Sequence, residues 1–146
     1  MTIITTDAAV AAVEEQMTAL AGNIRASMRD TALFIDPALQ PFGLKLLRTL
    51  ERCGPTHAGA LAENLVVDKS IISRQARALH DLGLIKTQTD DDDGRVKYFA
   101  LTPLAVKKLA EVRASKSTRL LGRLQNWSGD DLTRFAELLA RLNTPD

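Results

Sequence analysis

The sequence predicts a mainly helical domain that carries one small β-hairpin. Leu and Ala supply 42 of the 146 residues while aromatics are 4%, a composition that favours helices packed through aliphatic layers. Apolar residues recur at steps of three and four over most of the chain, as helical faces require. One stretch breaks that rhythm: Ile85–Thr89 and Val96–Leu101 read as two strands joined by the polar tip Asp90-Asp91-Asp92-Asp93-Gly94-Arg95.

The elements follow in order. Val10, Val13, Met17, Leu20, Ile24 and Met28 place an apolar stripe on a helix from about Asp7 to Asp30. That helix packs either against a partner subunit or over its own core, and the residues fit both. Pro41 suits the first position of a second helix, whose face is Phe42, Leu46, Leu47 and Leu50 up to Cys53. Gly54-Pro55 stops it, with Gly as the left-handed cap. A short helix follows from about Ala58 to Leu65, and Asp68 is an N-cap for a fourth running to about Leu82, where Gly83 ends it. After the hairpin, Thr102-Pro103 opens a long helix through about Leu124. Ser128 with Asp131 resembles a capping box for a last helix ending near Leu142.

Two short helices joined by a tight turn at Glu63–Val67 and followed by a hairpin make a winged helix-turn-helix. The chain reads as one domain over 1–146, with a winged-helix lobe at 36–102 and flanking helical regions at 1–35 and 103–146. Apolar residues at 45% and charged residues at 25% exclude a disordered chain. The single Cys53 excludes an intramolecular disulfide, and no apolar run reaches the length of a membrane span. Residues 1–20 lack a basic leader. The expected location is cytoplasmic. A net charge of +1 gives no hint of a nucleic-acid partner. The distribution does: residues 69–123 carry 12 basic and 6 acidic side chains.

With Ile72 set to zero and about 100° per residue, Ala76, Leu79 and Gly83 define the buried stripe of the fourth helix. Ser70, Arg74 and Arg77 cluster at the opposite pole, with Ser73 at its edge and Lys69 in the first turn. On most helices such a face is merely solvated. On the second helix of a helix-turn-helix it enters a major groove, where guanidiniums and hydroxyls grip phosphates or base edges.

These residues carry a resemblance. Leu61-Ala62, Val67-Asp68-Lys69-Ser70-Ile71-Ile72-Ser73-Arg74, Leu79, Gly83-Leu84-Ile85, Asp93-Gly94-Arg95 and Leu101-Thr102 resemble the MarR family of bacterial regulators. The tail Trp127-Ser128-Gly129-Asp130-Asp131-Leu132 with Leu138-Leu139 is similar to that family's last helix. The resemblance implies a homodimer whose first and last helices interlock, making 1–35 and 103–146 dimerisation regions. It implies a repressor that binds a pseudo-palindromic operator in double-stranded DNA and responds to a small aromatic or phenolic effector. Lys69, Ser70, Ser73, Arg74 and Arg77 would carry major-groove and phosphate contacts. Arg95 would reach the minor groove from the wing, supported by Asp93 through a contact with Arg95 or Arg74. Phe34, Phe42, Leu46 and Arg48 would be available to line an effector pocket, although the same residues fit a core.

Some residues depart from the family's pattern. Thr87, Gln88 and Thr89 stand where the wing is usually more basic, and Asp90, Asp91 and Asp92 add negative charge. Weaker, strongly salt-dependent DNA binding is the expectation. The acidic wing also leaves a rival reading, a winged-helix module that binds proteins and not DNA. Reactive cysteines in this family lie in the first helix, which has none, so Cys53 reads as a half-buried structural residue. Cys53, His57 and His80 do not assemble a metal site, and the two histidines lack the partners of a catalytic constellation. No cofactor, metal or enzymatic activity is expected.

Overall fold

The structure, a computed structural model, describes residues 5–115 and 119–146. The chain parts into two compact units, one ending at Ser115 and the other running to Asp146.

The first unit opens with α1 (Thr6–Ile35), whose N-terminus is capped by the Thr5 hydroxyl accepting from the Ala8 N–H at 3.2 Å. The helix runs five residues past the expected stop at Asp30. Ala32 and Ile35 continue the apolar spacing from Met28 into the core, and the chain leaves helix only at Asp36-Pro37. Pro41 opens α2 (Pro41–Cys53), which buries Leu44, Leu46, Leu47 and Leu50. Gly54 ends it at φ 75°, ψ −163°, a glycine-only region that is positive in φ but is not the expected left-handed helical cap. The last turn of α2 runs out beyond the core, so Cys53 is exposed, not half-buried.

Next come β1 (Thr56–His57), α3 (Ala58–Leu65), α4 (Lys69–Asp81), β2 (Ile85–Thr89), β3 (Lys97–Leu101) and α5 (Pro103–Ala114). The strands form an antiparallel sheet in the order β1-β3-β2, with Ile85 opposite Leu101 and Thr56 opposite Phe99. Strand β1 has no sequence signal, because two residues cannot display an alternation. The core gathers Leu44, Leu46, Leu47, Leu50, Leu61, Ile72, Leu79 and Leu84, and draws in Ala32 and Ile35 of α1 and Ala105 and Leu109 of α5. Arg113 on α5 pairs with Glu51 on α2 at 2.7 Å.

The expected long helix from Thr102 to Leu124 is broken. It ends at Ala114, where the Ser115 N–H donates to the Glu111 carbonyl and the Ser115 hydroxyl to that of Val112 at 3.0 Å. A serine hydroxyl competing for main-chain acceptors in this way favours a helix end. Residues 116–118 of that expected helix lie outside the described residues. The second unit contains α6 (Arg119–Leu124) and α7 (Gly129–Asn143), the latter capped by the Ser128 hydroxyl accepting from the Asp131 N–H at 3.1 Å. Trp127 and Phe135 meet edge to face with centroids 5.5 Å apart.

Candidate nucleic-acid interface

The helix-turn-helix is built from local bonds. His57 caps α3, its Nδ1 accepting from the Ala60 N–H at 3.1 Å, and Leu61 on the next turn is fully buried. At the other end the chain turns through Val66, the only positive-φ non-glycine among the described residues, at φ 55° and ψ 53°. The Val67 N–H reaches back to the Ala62 carbonyl at 3.0 Å and closes the turn. Asp68 then occupies the N-cap of α4 in an extended conformation. Its side chain makes no cap hydrogen bond, contrary to the expected role of its carboxylate, and the helix starts on its main-chain carbonyl instead.

Helix α4 turns Ile72, Ala76 and Leu79 into the core at 0%, 3% and 1% exposure. Lys69, Ser70, Ser73, Arg74 and Arg77 are all exposed on the outer side. Gly83 does not belong to the buried stripe. It lies one residue past the Leu82 cap, exposed, with φ 73°. There the Gly83 N–H donates to His80 and the Leu84 N–H to Leu79, each at 3.0 Å, the paired bonds of a glycine helix stop.

The wing leaves that stop directly. Thr102, at the foot of β3, donates its hydroxyl to the Gly83 carbonyl at 2.6 Å and accepts from the Ala105 N–H at 3.2 Å. The end of α4, the base of the hairpin and the start of α5 are thereby tied at one point. At the tip, the Asp90 N–H donates to the Val96 carbonyl at 2.9 Å, prolonging the ladder by one rung. The Asp90 carboxylate accepts from the Asp92 N–H at 2.9 Å and from the Tyr98 hydroxyl at 3.2 Å. These two bonds, the amide first, hold the Asp90 carboxyl below its ordinary range, and the same carboxylate pushes the Tyr98 phenol up.

Asp93 binds the main-chain N–H of Arg95 at 3.0 Å, not a guanidinium. The salt bridges among the described residues include neither Arg95 nor Arg74, and both residues are exposed. Two acids of the four-Asp run thus fold the tip. Asp91 and Asp92 remain exposed there.

The four residues considered for an effector pocket divide between core and surface. Leu46 is 0% exposed in the core and Phe42 packs against the core, whereas Phe34 and Arg48 are exposed. Leu46 shares its face of α2 with the buried Gly43, Thr49 and Leu50. Among the described residues no group of three His, Cys, Asp or Glu is placed to hold a metal ion. No described helix is long and apolar enough to cross a membrane. Sequence reasoning missed the structural part played by Tyr98, whose only signal was its position on the strand opposite the acidic run.

This arrangement is that of a winged-helix DNA-binding protein. Residues 43–97 match the MarR family model. The chain is 39% identical over 98 residues to the HTH-type transcriptional regulator YxaD of Bacillus subtilis, an alignment that takes in 67% of this chain and 68% of that protein. A MarR family transcriptional regulator from Silicibacter pomeroyi has a similar structure, with a TM-score of 0.72 at 25% identity, covering 94% of this chain and 91% of that one. A cysteine-to-serine variant of MarR from E. coli, solved with operator DNA, has a TM-score of 0.67 at 16% identity, covering 90% and 96%. The chain belongs to the MarR family and is a transcriptional regulator, not an enzyme.

Proposed function

We propose that the protein is a homodimeric, ligand-responsive repressor that binds a pseudo-palindromic operator through Lys69, Ser70, Ser73, Arg74 and Arg77 on α4 and Arg95 on the wing, with Asp93 supporting the wing. One observation carries the DNA contacts. The outer face of α4 and Arg95 belong to one compact unit, and among the described residues neither Arg74 nor Arg95 is paired with a carboxylate. An arginine on a hairpin tip suits the negative potential of a narrow minor groove. The engagement of Asp90 and Asp93 in the turn weakens the rival reading of a protein-binding module, because two of the four acids have a folding role.

Dimer formation is supported by what one chain leaves uncovered. Val10, Val13, Met17 and Ile24 on α1 are each more than 40% exposed, and α7 buries none of its residues. A 30-residue helix with such a stripe calls for a partner surface. The effector, a small aromatic or phenolic acid, would act by favouring a spacing of the two recognition helices that mismatches successive major grooves. Of the four candidate pocket residues, Phe34 and Arg48 are the ones left facing outward.

The test is a titration of the DNA flanking the protein's own gene across a salt series. Wild type is expected to bind, with log K falling linearly against log salt, and Arg74→Ala with Arg77→Ala to abolish most of that binding. Absence of binding at low salt favours the protein-interaction module, and an unchanged affinity in the double variant removes α4 from the interface.

A further inference from the structure

Helix α2 turns Leu46, Leu47 and Leu50 into the core. At about 100° per residue, Lys45, Arg48 and Arg52 fall within about 40° of the opposite pole, and all three are exposed. They make a basic stripe about 10 Å long. None of the three enters a salt bridge among the described residues. Arg52 donates to the Asn64 side-chain carbonyl at 3.4 Å, and Glu51, the one acid on the helix, pairs with Arg113 at 2.7 Å. The stripe is separate from the outer face of α4. Both helices aim their apolar sides at one core, so their outer faces look in different directions.

The wing tip carries the opposite charge. Asp90 and Asp93 hold the turn. The carboxylates of Asp91 and Asp92 enter no hydrogen bond or salt bridge among the described residues, and both residues are exposed. A phosphate strand repels such a pair, so DNA binding gives it no role. The two charge clusters match in scale. Neighbouring stripe cations rise about 4.5 and 6 Å along the axis and adjacent Cα atoms lie about 3.8 Å apart, so two successive carboxylates meet two successive cations at once.

We propose that the wing tip of one copy, through Asp91 and Asp92, docks on the α2 stripe of Lys45, Arg48 and Arg52 in a second copy. The charge complementarity of two surfaces that neither the core nor the DNA contacts use carries this assignment. Because the two surfaces differ, the contact is head-to-tail and adds copies in series, unlike a two-fold interface, which closes on itself. Exposed ion pairs are individually weak, so association in free solution is expected toward about 1 mM.

The experiment is small-angle X-ray scattering from the full chain without DNA, which makes its result independent of the DNA-binding reading. At low salt the mean mass is expected to rise with concentration up to about 1 mM, and at about 0.5 M salt to stay level. Lys45→Glu with Arg48→Glu, and separately Asp91→Lys with Asp92→Lys, should each weaken the association at least ten-fold. The fourfold variant restores opposite charges across the contact and should recover the rise. Asp91→Lys and Asp92→Lys combined with Lys107→Glu and Lys108→Glu keeps the parent's net charge without the matched pair, and should stay level. A parent whose mass is constant at low salt overturns the proposal, whatever the variants do. So does either reversed pair that associates like the parent, a folded fourfold variant that does not associate, or recovery in the variant matched only in net charge. Reversal of the stripe that lowers DNA affinity but leaves association unchanged would assign α2 to a phosphate backbone and overturn it as well.

Discussion

The Tyr98 hydroxyl donates to the Asp90 carboxylate at 3.2 Å, joining β3 to the first residue beyond β2. Tyr98 also sits edge-on to His57, with ring centroids 6.3 Å apart, so the same side chain connects the wing tip to the entry of the helix-turn-helix. An acidic run that reads as a solvated tip is in part the wing's fastening.

That contact sets how the wing responds to pH. The Asp90 carboxyl is held down by the Asp92 amide and then the Tyr98 hydroxyl, so its contribution is complete above the ordinary aspartate range and is lost as pH falls through its lowered value. The Tyr98 phenol is pushed up by Asp90, so its contribution is present below the ordinary tyrosine value of about 10 and is lost as pH rises through its raised one. The wing should therefore stay fastened across the neutral range and loosen at both extremes. Tyr98 is the chain's one tyrosine, which makes its ultraviolet titration readable. Asp90→Asn should return that titration toward ordinary pH, and an unchanged late titration would speak against the contact.

Val66 holds a left-handed backbone with its side chain 87% exposed, so the strain is not repaid by burial. A left-handed residue costs about 1–2 kcal/mol and glycine's extra freedom about 0.5–1 kcal/mol. Val66→Gly should raise unfolding stability by roughly 0.5–1 kcal/mol, read from the urea midpoint. Gly54→Ala should do the reverse by about 1–3 kcal/mol. Apart from its chain neighbours, no described residue comes within 4 Å of an added Cβ there, so the penalty is conformational. Equal midpoints for both variants would refute the argument.

Thr102 uses one hydroxyl for two bonds, to the Gly83 carbonyl and from the Ala105 amide. Thr102→Ala should cost about 0.5–2 kcal/mol, and Thr102→Ser should recover most of it. Hydrogen exchange at Ala105 and Leu84 should quicken in the alanine variant. Exchange confined to the α5 end would show that the hydroxyl caps the helix without fastening the wing.

The exposed stripe on α1 gives a test of assembly. Val13→Glu with Met17→Glu places charges on positions 54% and 47% exposed in one chain. Sedimentation should then report a monomer, against the dimer expected of the parent, with helicity retained. A variant that remains dimeric would move the interface elsewhere.

Much of this protein is legible along the chain because its signals are local. Helical periodicity locates the core face of α4 at Ile72, Ala76 and Leu79, and Pro41, Gly54, Gly83 and Ser128 mark helix ends through their own backbone or side-chain chemistry. The outward face of Lys69, Ser70, Ser73, Arg74 and Arg77 follows from the same angles. Packing decided what local signals left open: the added turn of α1 and the exposure of Cys53.

Only the tertiary structure decided which polar residues share a site. The hydroxyl of Tyr98 meets Asp90 eight residues away, and that of Thr102 meets the Gly83 carbonyl nineteen residues away. His80 and Thr87 come to face one cleft because α4 and β2 are folded against each other. Periodicity reports the side of an element on which a residue lies. It is blind to what stands opposite, because that depends on how elements pack over distances no local pattern records.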